Sequence, residues 1–372
     1  MSTIKLGGIC RYRTESMLVG SLPYVTTESM LPNKSGIAGK ASAPSSKKKA
    51  RLFRNGDTLI SNIRPYFKKI WQAEYDGCCS ADLLVFEPSN CDADYLYWLL
   101  SNDVFFSYMV STAKGTKMPR GDKSAIMHYA LEHMDVSEQR AIAGVLNPIR
   151  ELIATNQHTN DYLAALIRLE FDRRFSRETP TIDLGDVMSI STQSIKPNDH
   201  IGEIWEHYSI PAYDEMHRPI FELADGIKSN KYVIDSDCIL VSKLNPSTKR
   251  LWLPRCTSKT SVCSTEFIVY RPKKVRYKSF YYAAIDSETF LAFLLSHVTG
   301  STGSRQRSQP KATLNYPMPN PDAREIEDFC EFADPLIAQQ QSNEQETDDL
   351  IRLRDTLLPK LISGELNIDK IV

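Results

Sequence analysis

Two stretches of the chain, about 137–175 and 322–362, repeat apolar residues at alternating spacings of three and four. This spacing places one apolar stripe along a helix, and a stripe of this length is typical of a coiled-coil seam. At about 1.5 Å per residue, forty helical residues span roughly 60 Å, which favours a spacer. The predicted seam consists of Ile149, Leu152, Asn156, Thr159, Leu163, Leu336, Gln340, Asn343, Thr347 and Leu350. The alternative is two ordinary amphipathic helices, each packed on its own core.

Both seams turn polar at the same layer, which penalises wrong registers. If a two-fold axis relates the two stretches, the helices run antiparallel and Asn156 faces Asn343. The same register places Ile149 opposite Leu350, Leu152 opposite Thr347, and Leu163 opposite Leu336. Because proline lacks an N–H and clashes with the preceding turn, Pro148 and Pro335 predict a kink or a restart of each helix.

Short apolar runs bounded by turn residues precede each helical stretch and predict β-strands, at 58–63 and 83–86 and again at 238–241 and 267–270. The sequence therefore predicts an α+β protein in which a β-rich domain precedes each long helix.

The chain also repeats itself once. Residues 61–71 (SNIRPYFKKIW) match 242–252 (SKLNPSTKRLW) at an offset of 181, and 79–88 (CSADLLVFEP) match 263–272 (CSTEFIVYRP) at an offset of 184. The tripeptide LIA and the tetrapeptide LIRL recur at the second offset, within the helical stretches. Four matches in the same order indicate an internal duplication. We expect β-rich domains over 1–135 and 179–320, and helical regions over 136–178 and 321–372.

Charge is segregated although the formal net charge is −1. Residues 40–69 contain nine basic side chains against one acid, and 243–278 contain ten against one. Residues 322–349 carry ten acids and one arginine. Two basic runs at matching places in the repeat indicate surfaces for a polyanion; the alternative is ordinary solvated surface.

The sequence carries no recognised catalytic motif. It lacks the Asp/Asn-Pro-Pro-aromatic loop of adenine methyltransferases, a phosphate-binding GxxxxGK[ST] loop, a glycine-rich dinucleotide loop and an HExxH pair. The eight cysteines form no CxxC pair, and no run of eighteen apolar residues occurs. We therefore expect no catalytic residue, no metal site, no membrane span, reduced thiols and a cytoplasmic location.

Two basic loop types recur in each half and predict contacts to DNA. A strand ends in a proline turn at 62–69 and at 243–250, and glycine-, serine- and lysine- or arginine-containing loops follow at 112–122 and 299–309. Arginine or lysine can bind guanine, asparagine can bind adenine, and other cations hold phosphates. The alternative for each loop is a mobile surface turn. The candidate DNA-binding residues are Thr27, Asn62, Arg64, Lys68, Lys69, Lys117, Arg120, Lys243, Asn245, Lys249, Arg250, Arg305 and Arg307.

These segments resemble a known family. Residues 24–37 (YVTTESMLPNKSGI) and 56–71 resemble a target-recognition domain of type I restriction-modification specificity subunits, and 350–366 (LIRLRDTLLPKLISGEL) resembles the end of their helical regions. KLGGI at 5–9 and DLGDV at 183–187 resemble the phrase that opens each recognition domain. Pro148 and Pro335 depart from the family's continuous helices.

The resemblance implies two target-recognition domains and two antiparallel helices that dock two methyltransferase subunits and, optionally, two restriction subunits. It implies a non-catalytic subunit that reads a two-part double-stranded DNA target, within a complex using S-adenosylmethionine for methylation and ATP with Mg²⁺ for restriction. The alternatives are a stand-alone bipartite DNA-binding regulator, an enzyme with an unrecognised site, and a structural coiled-coil scaffold.

Overall fold

The structure is a computed structural model of the chain and describes residues 3–20, 22–38, 49–300 and 306–366. It divides into two compact units. Unit 1 combines residues 1–154 with 347–372, and unit 2 comprises 155–346.

Unit 1 begins with short strands and ends its first segment inside a long helix. Its strands are β1 (Thr3–Lys5), β2 (Cys10–Tyr12), β3 (Ser16–Leu18), β4 (Tyr24–Val25), β5 (Lys49–Phe53), β6 (Thr58–Ser61), β7 (Ile70–Gln72), β8 (Gly77–Cys79), β9 (Leu83–Pro88) and β10 (Ala130–Glu132). Its helices are α1 (Ala93–Ser101), α2 (Asp103–Ser111), α3 (Lys123–Met127) and the first part of α4 (Val136–Phe175).

The strands of unit 1 form two four-stranded sheets. One is antiparallel in the order β2-β9-β6-β7, and the other has the order β3-β5-β8-β4 with β4 parallel to β8. Strand β6 is buried on both faces because one face meets the helices and the other meets the second sheet's core. Leu358 and Leu361 of the last long helix join the same core as the α1 and α2 side chains.

Unit 2 repeats this plan with additional elements. Its strands are β11 (Ile182–Asp183), β12 (Met188–Ser191), β13 (Ser194–Ile195), β14 (Ile204–Tyr208), β15 (Ile220–Leu223), β16 (Lys231–Ile234), β17 (Ile239–Ser242), β18 (Leu251–Trp252), β19 (Ser261–Ser264), β20 (Phe267–Pro272), β21 (Val298–Thr299), β22 (Arg307–Ser308) and β23 (Pro317–Met318). Its helices are α5 (Leu184–Val187), α6 (Ile210–Met216), α7 (Lys278–Ile285), α8 (Glu288–Ser296), α9 (Pro310–Thr313) and the first part of α10 (Ala323–Ile362).

The sheet topology confirms the internal repeat. The order β12-β20-β17-β18 corresponds to β2-β9-β6-β7, and β13-β16-β19-β14 corresponds to β3-β5-β8-β4. The parallel pairing of β4 with β8 recurs as β14 with β19. Strand β15 is an extra edge strand of unit 2.

Both long helices are 40 residues long and begin with reciprocal caps. Asp322 accepts hydrogen bonds from the backbone of α10, and Glu325 accepts from the Asp322 N–H. The expected restart at Pro148 and Pro335 is wrong, since each helix continues through its proline without interruption. Both prolines and the residues four before them lie on the solvent side, where water can bind the carbonyl that loses its partner.

In unit 2 the helices run antiparallel with their polar layers together. Asn156 Nδ2 lies 3.5 Å from the Asn343 carbonyl oxygen. Asn160 Nδ2 donates to the Gln340 carbonyl oxygen at 3.1 Å, and Asn343 Nδ2 donates to Asn160 Oδ1 at 2.8 Å. Residue numbers rise on α4 as they fall on α10, so the predicted antiparallel register is confirmed at this layer.

The predicted α4 seam is wrong on the side of the helix that contains Leu152 and Thr159. Leu152 is 39% exposed, and Asn160 rather than Thr159 supplies the polar contacts. Residues three and four positions away lie on opposite sides of a helical stripe, at about 60° and 40° from it. The sequence pattern fits the side of α4 that contains Thr159 and the side that contains Asn160. In the structure, α10 packs against the side that contains Asn160. The remaining seam positions, Ile149, Leu163, Leu336, Thr347 and Leu350, are buried or half-buried.

All eight cysteines are free thiols. Within the described ranges, no helix combines the length and apolar character needed to cross a membrane.

Candidate nucleic-acid interface

The first turn, residues 62–69, leaves β6 through a strained backbone. Arg64 has a φ of 50°, in the left-handed region, and Pro65 then opens a 3₁₀ helix over Pro65–Phe67. The Arg64 N–H donates to the Pro119 carbonyl oxygen at 2.8 Å, and Ile63 forms a β-bridge with Arg120. The structure therefore places the first companion loop, residues 112–122, directly beside the first turn.

The second turn, residues 243–250, has the same construction. Asn245 has a φ of 51° and precedes Pro246. Its N–H donates to the Gln306 carbonyl oxygen at 2.9 Å, and Leu244 forms a β-bridge with Arg307. We define the second companion loop as residues 306–309, the described end of the predicted 299–309 loop. Both units thus join a proline turn to a companion loop by equivalent backbone contacts.

Each companion loop is fixed to its unit by an equivalent ion pair. Arg120 lies 3.0 Å from Asp82, which precedes β9, and Arg307 lies 3.0 Å from Glu266, which precedes β20. The four side chains are between 28% and 55% exposed. Surface pairs of this kind contribute at most about 1 kcal/mol, so they fix position more than stability.

Each proline turn has a second equivalent ion pair. Lys68 Nζ lies 3.0 Å from Asp103 at the start of α2, and Lys249 Nζ lies 2.7 Å from Asp286, which follows α7. Burial raises the pKa of Asp103, but the hydrogen bonds and charges of Lys68 and Lys34 outweigh it and hold that pKa below its ordinary value. Both lysines predicted to bind DNA therefore also hold their turns.

Two predicted DNA contacts are wrong because the side chains are buried. Asn62 is 7% exposed and lies against Gly121, leaving no room for a base edge. Arg250 is 8% exposed and makes two hydrogen bonds to Asp214, at 2.5 and 2.8 Å. Side-chain chemistry alone suggested DNA contacts for these two residues, but in the folded protein both side chains are buried.

Two further candidates, Lys69 and Thr27, contact each other. Lys69 Nζ donates to the Thr27 carbonyl oxygen at 2.7 Å, and burial lowers the Lys69 pKa. Thr27 is half-buried, and this contact uses its main chain.

The side chains of four candidates have no hydrogen-bond or ion-pair partner among the described residues. Arg64 and Lys117 are exposed in unit 1, and Lys243 and Asn245 are half-exposed in unit 2. Arg305 lies outside the described residues. These four side chains are the ones available for a ligand without first breaking an ion pair.

An open groove adjoins the first turn. It has a volume of about 330 Å³ and is lined by Tyr66, Lys68, Phe106, Ser107, Val110 and Ser111. Tyr66 is 49% exposed at its edge. The corresponding space beneath the second turn, lined in part by Pro246, Lys249 and Phe290, holds only about 10 Å³. The two turns therefore present different surfaces on a common backbone.

The sequence interpretation missed the acids that organise both turns. Asp103 and Asp286 each lie in a helical pair rich in aromatic residues, 183 residues apart, and this repetition was the available signal. Lys34 also escaped notice; its side chain is 7% exposed and lies 3.1 Å from Asp103. Across the described ranges, no group of three or more His, Cys, Asp or Glu residues is arranged to hold a metal ion.

Comparison with known proteins finds a relative that matches part of the chain. No family model matches the chain. The type I restriction enzyme EcoDI specificity subunit of Escherichia coli is 26% identical over 147 residues, which cover 36% of this chain. The match spans 33% of that protein's length.

Two solved structures resemble the chain over nearly its whole length. The S subunit of a type I restriction-modification system from M. genitalium has a TM-score of 0.54 at 16% identity, covering 97% of this chain and 96% of that one. The HsdS subunit from Thermoanaerobacter tengcongensis has a TM-score of 0.39 at 17% identity, covering 98% and 97%. The M. genitalium likeness establishes a shared fold. The resemblance predicted from the sequence is thereby confirmed, and the chain has the fold of a type I restriction-modification specificity subunit.

Proposed function

We propose that the chain is the DNA-specificity subunit of a type I restriction-modification complex and reads a bipartite double-stranded target. One observation carries the proposal: each unit has the same proline turn and companion loop, with left-handed Arg64 in one and Asn245 in the other. Duplicated loops with different side chains suit two half-sites of different sequence.

The recognition domains are proposed to occupy 1–135 and 179–320, with helical regions at 136–178 and 321–372. Unpaired cations such as Lys117 and Lys243 suit phosphate contacts, which position a protein on DNA. Arg120 and Arg307 are half-exposed and could add phosphate contacts by exchanging their carboxylate partners.

The chain is proposed to act without catalysis and to bind two methyltransferase subunits, with restriction subunits as optional partners. S-adenosylmethionine, and ATP with Mg²⁺, would be bound by those subunits. On the part of α4 in unit 2, Tyr162, Leu166 and Leu169 are exposed at helical spacing. An exposed apolar stripe of this kind suits a protein partner better than solvent. A cytoplasmic location follows from this role.

The test is an exchange of the first recognition domain. Residues 1–133 are replaced by the equivalent domain of another specificity subunit, and the hybrid is co-expressed with its methyltransferase. Methylation-site mapping should show a change in one half of the methylated motif only. A change in both halves, or an unchanged motif, would show that the recognition domains are placed wrongly.

The same preparations distinguish the regulator hypothesis. A stand-alone regulator would bind its DNA site tightly without a methyltransferase and would not co-purify with one. Methyl transfer by the isolated chain would contradict a non-catalytic role.

A further inference from the structure

We infer that Arg64 and Asn245 are the base-reading side chains of units 1 and 2, and that they take a guanine and an adenine, respectively. This inference rests on the proposed function and adds the base chemistry of each half-site. Three observations carry it: the backbone of the two residues, the engagement of their neighbours, and the donors that they present.

The first observation is that Arg64 and Asn245 occupy equivalent, strained positions. Both have left-handed φ angles, both precede proline, and both N–H groups are tied to a companion loop at 2.8 and 2.9 Å. Asparagine tolerates this region, whereas arginine seldom adopts it. Such outliers persist where the surroundings enforce them and concentrate at ligand-binding sites. The repeat thus holds one outward position per turn in a fixed conformation while changing its side chain.

The second observation is that, apart from Lys243, the neighbouring candidates in each turn are already engaged. Lys68 pairs with Asp103, and Lys69 binds a carbonyl oxygen. In the second turn Lys249 pairs with Asp286, and Arg250 is buried against Asp214. A base edge arriving at either turn therefore meets Arg64 or Asn245 without displacing an internal partner.

The third observation is the chemistry of the two side chains. A guanidinium can donate two parallel hydrogen bonds to guanine O6 and N7, and a carboxamide can accept from adenine N6 and donate to N7. The reverse pairings leave a donor facing a donor or an acceptor unpaired. One turn position with two side chains therefore predicts guanine in the half-site of unit 1 and adenine in that of unit 2.

The test exchanges the two side chains in the full chain, co-expressed with its methyltransferase. Arg64→Asn should reduce methylation of the parent motif by about tenfold or more and change the required bases only in the guanine-containing half-site. Asn245→Arg should have the reciprocal effect on the half-site of unit 2. Lys117→Ala serves as the matched control and should lower methylation at all sites without changing the motif. Both exchanges keep a residue type that one of the two turns already accommodates, so folding is expected to survive and is checked by thermal unfolding.

A binding experiment covers the case in which a variant loses methylation altogether. The complex is titrated with its mapped duplex and with the same duplex carrying 7-deazaguanine, which lacks the N7 acceptor. Arg64→Ala and the modified base should each weaken binding about tenfold, and the two losses should not add. Additive losses would overturn the inference, as would a half-site without guanine.

The two levels of proposal fail in different ways. If the parent complex methylates no bipartite motif, the result contradicts the proposed function. If the parent motif is bipartite but neither exchange alters it, only the assignment of Arg64 and Asn245 falls.

Discussion

Asn156 on α4 donates its side-chain amide both to the Asn343 carbonyl oxygen on α10, at 3.5 Å, and to Glu346 Oε2, at 2.9 Å. Asn156 and Asn343 are each 6% exposed. Buried amides are costly when unpaired, so a displaced register would leave several donors unsatisfied. This layer therefore specifies the antiparallel register more strongly than an apolar layer of the same size would.

Replacing one member of the layer should destabilise unit 2. Asn160→Leu removes the acceptor of Asn343 Nδ2 and the donor to the Gln340 carbonyl oxygen. We expect a loss of about 1–3 kcal/mol in the free energy of unfolding, measured by urea denaturation. Adding Asn343→Leu should recover part of this loss, because it removes the Asn343 Nδ2 donor that lost Asn160 Oδ1, and the other partner of Asn343, Gln339, is exposed and can bind water. Equal and additive losses in the double variant would contradict the pairing.

Salt dependence should separate unpaired from paired cations. Lys117 is exposed and has no partner among the described residues, whereas Arg140, also exposed, lies 3.8 Å from Asp92. Lys117→Ala should lower the slope of log affinity against log salt by about one, because one fewer phosphate is neutralised. Arg140→Ala should leave the slope unchanged. Fluorescence anisotropy with a non-specific duplex measures both, and identical slopes for the parent and Lys117→Ala would rule out a phosphate contact.

His207 should make the stability of unit 2 depend on pH. Burial lowers the pKa of His207 despite its 2.7 Å contact with Glu222, and its Nε2 is buried without a partner among the described residues. As the pH falls, His207 therefore binds a proton in the unfolded chain at a higher pH than in the folded chain. Stability is therefore complete above the ordinary pKa of about 6.5 and falls as the pH drops toward the folded value.

The variant His207→Phe should remove this slope. Urea midpoints compared between about pH 5 and 7.5 give the measurement. His133→Gln, which changes an exposed histidine of unit 1, provides the control. A slope that persists in His207→Phe would assign the effect to another group.

Two glycines should respond to alanine in opposite directions. A Cβ on Gly77 in β8 would lie 2.8 Å from the Pro23 carbonyl oxygen and would also collide with the Phe53 ring. We expect Gly77→Ala to cost about 1–3 kcal/mol through overpacking. Gly144 on α4 has open space at its Cβ position, so Gly144→Ala should stabilise the protein by about 0.5–1 kcal/mol. Thermal unfolding of both variants tests this, and the same sign for both would contradict the packing.

Several elements were predictable because their determinants are local in sequence. The apolar periodicity predicted both long helices. The repeat was visible because matching segments retain their order. Its sheet topology then followed the same duplication, including the parallel pairing of β4 with β8 and of β14 with β19.

The behaviour of the prolines was not predictable from their local preference. Pro148 and Pro335 each remove one backbone hydrogen bond, yet both helices continue. The loss at a solvent-facing position is small beside the tertiary packing of a 40-residue helix. Local propensity therefore gave the wrong result for the restart, because packing of the opposite face dominated.

By itself, the sequence determined the two-fold plan, the long helices and the segments rich in positive charge. Periodicity, duplication and composition depend only on the order of residues in the chain. Only the tertiary structure decided which charges remain available. Lys68 and Asp103, or Arg120 and Asp82, meet across more than thirty residues of chain, and no linear count of charge reveals such pairs. The physical reason is that an ionic contact depends on distance and burial in the folded protein, whereas net charge depends on neither.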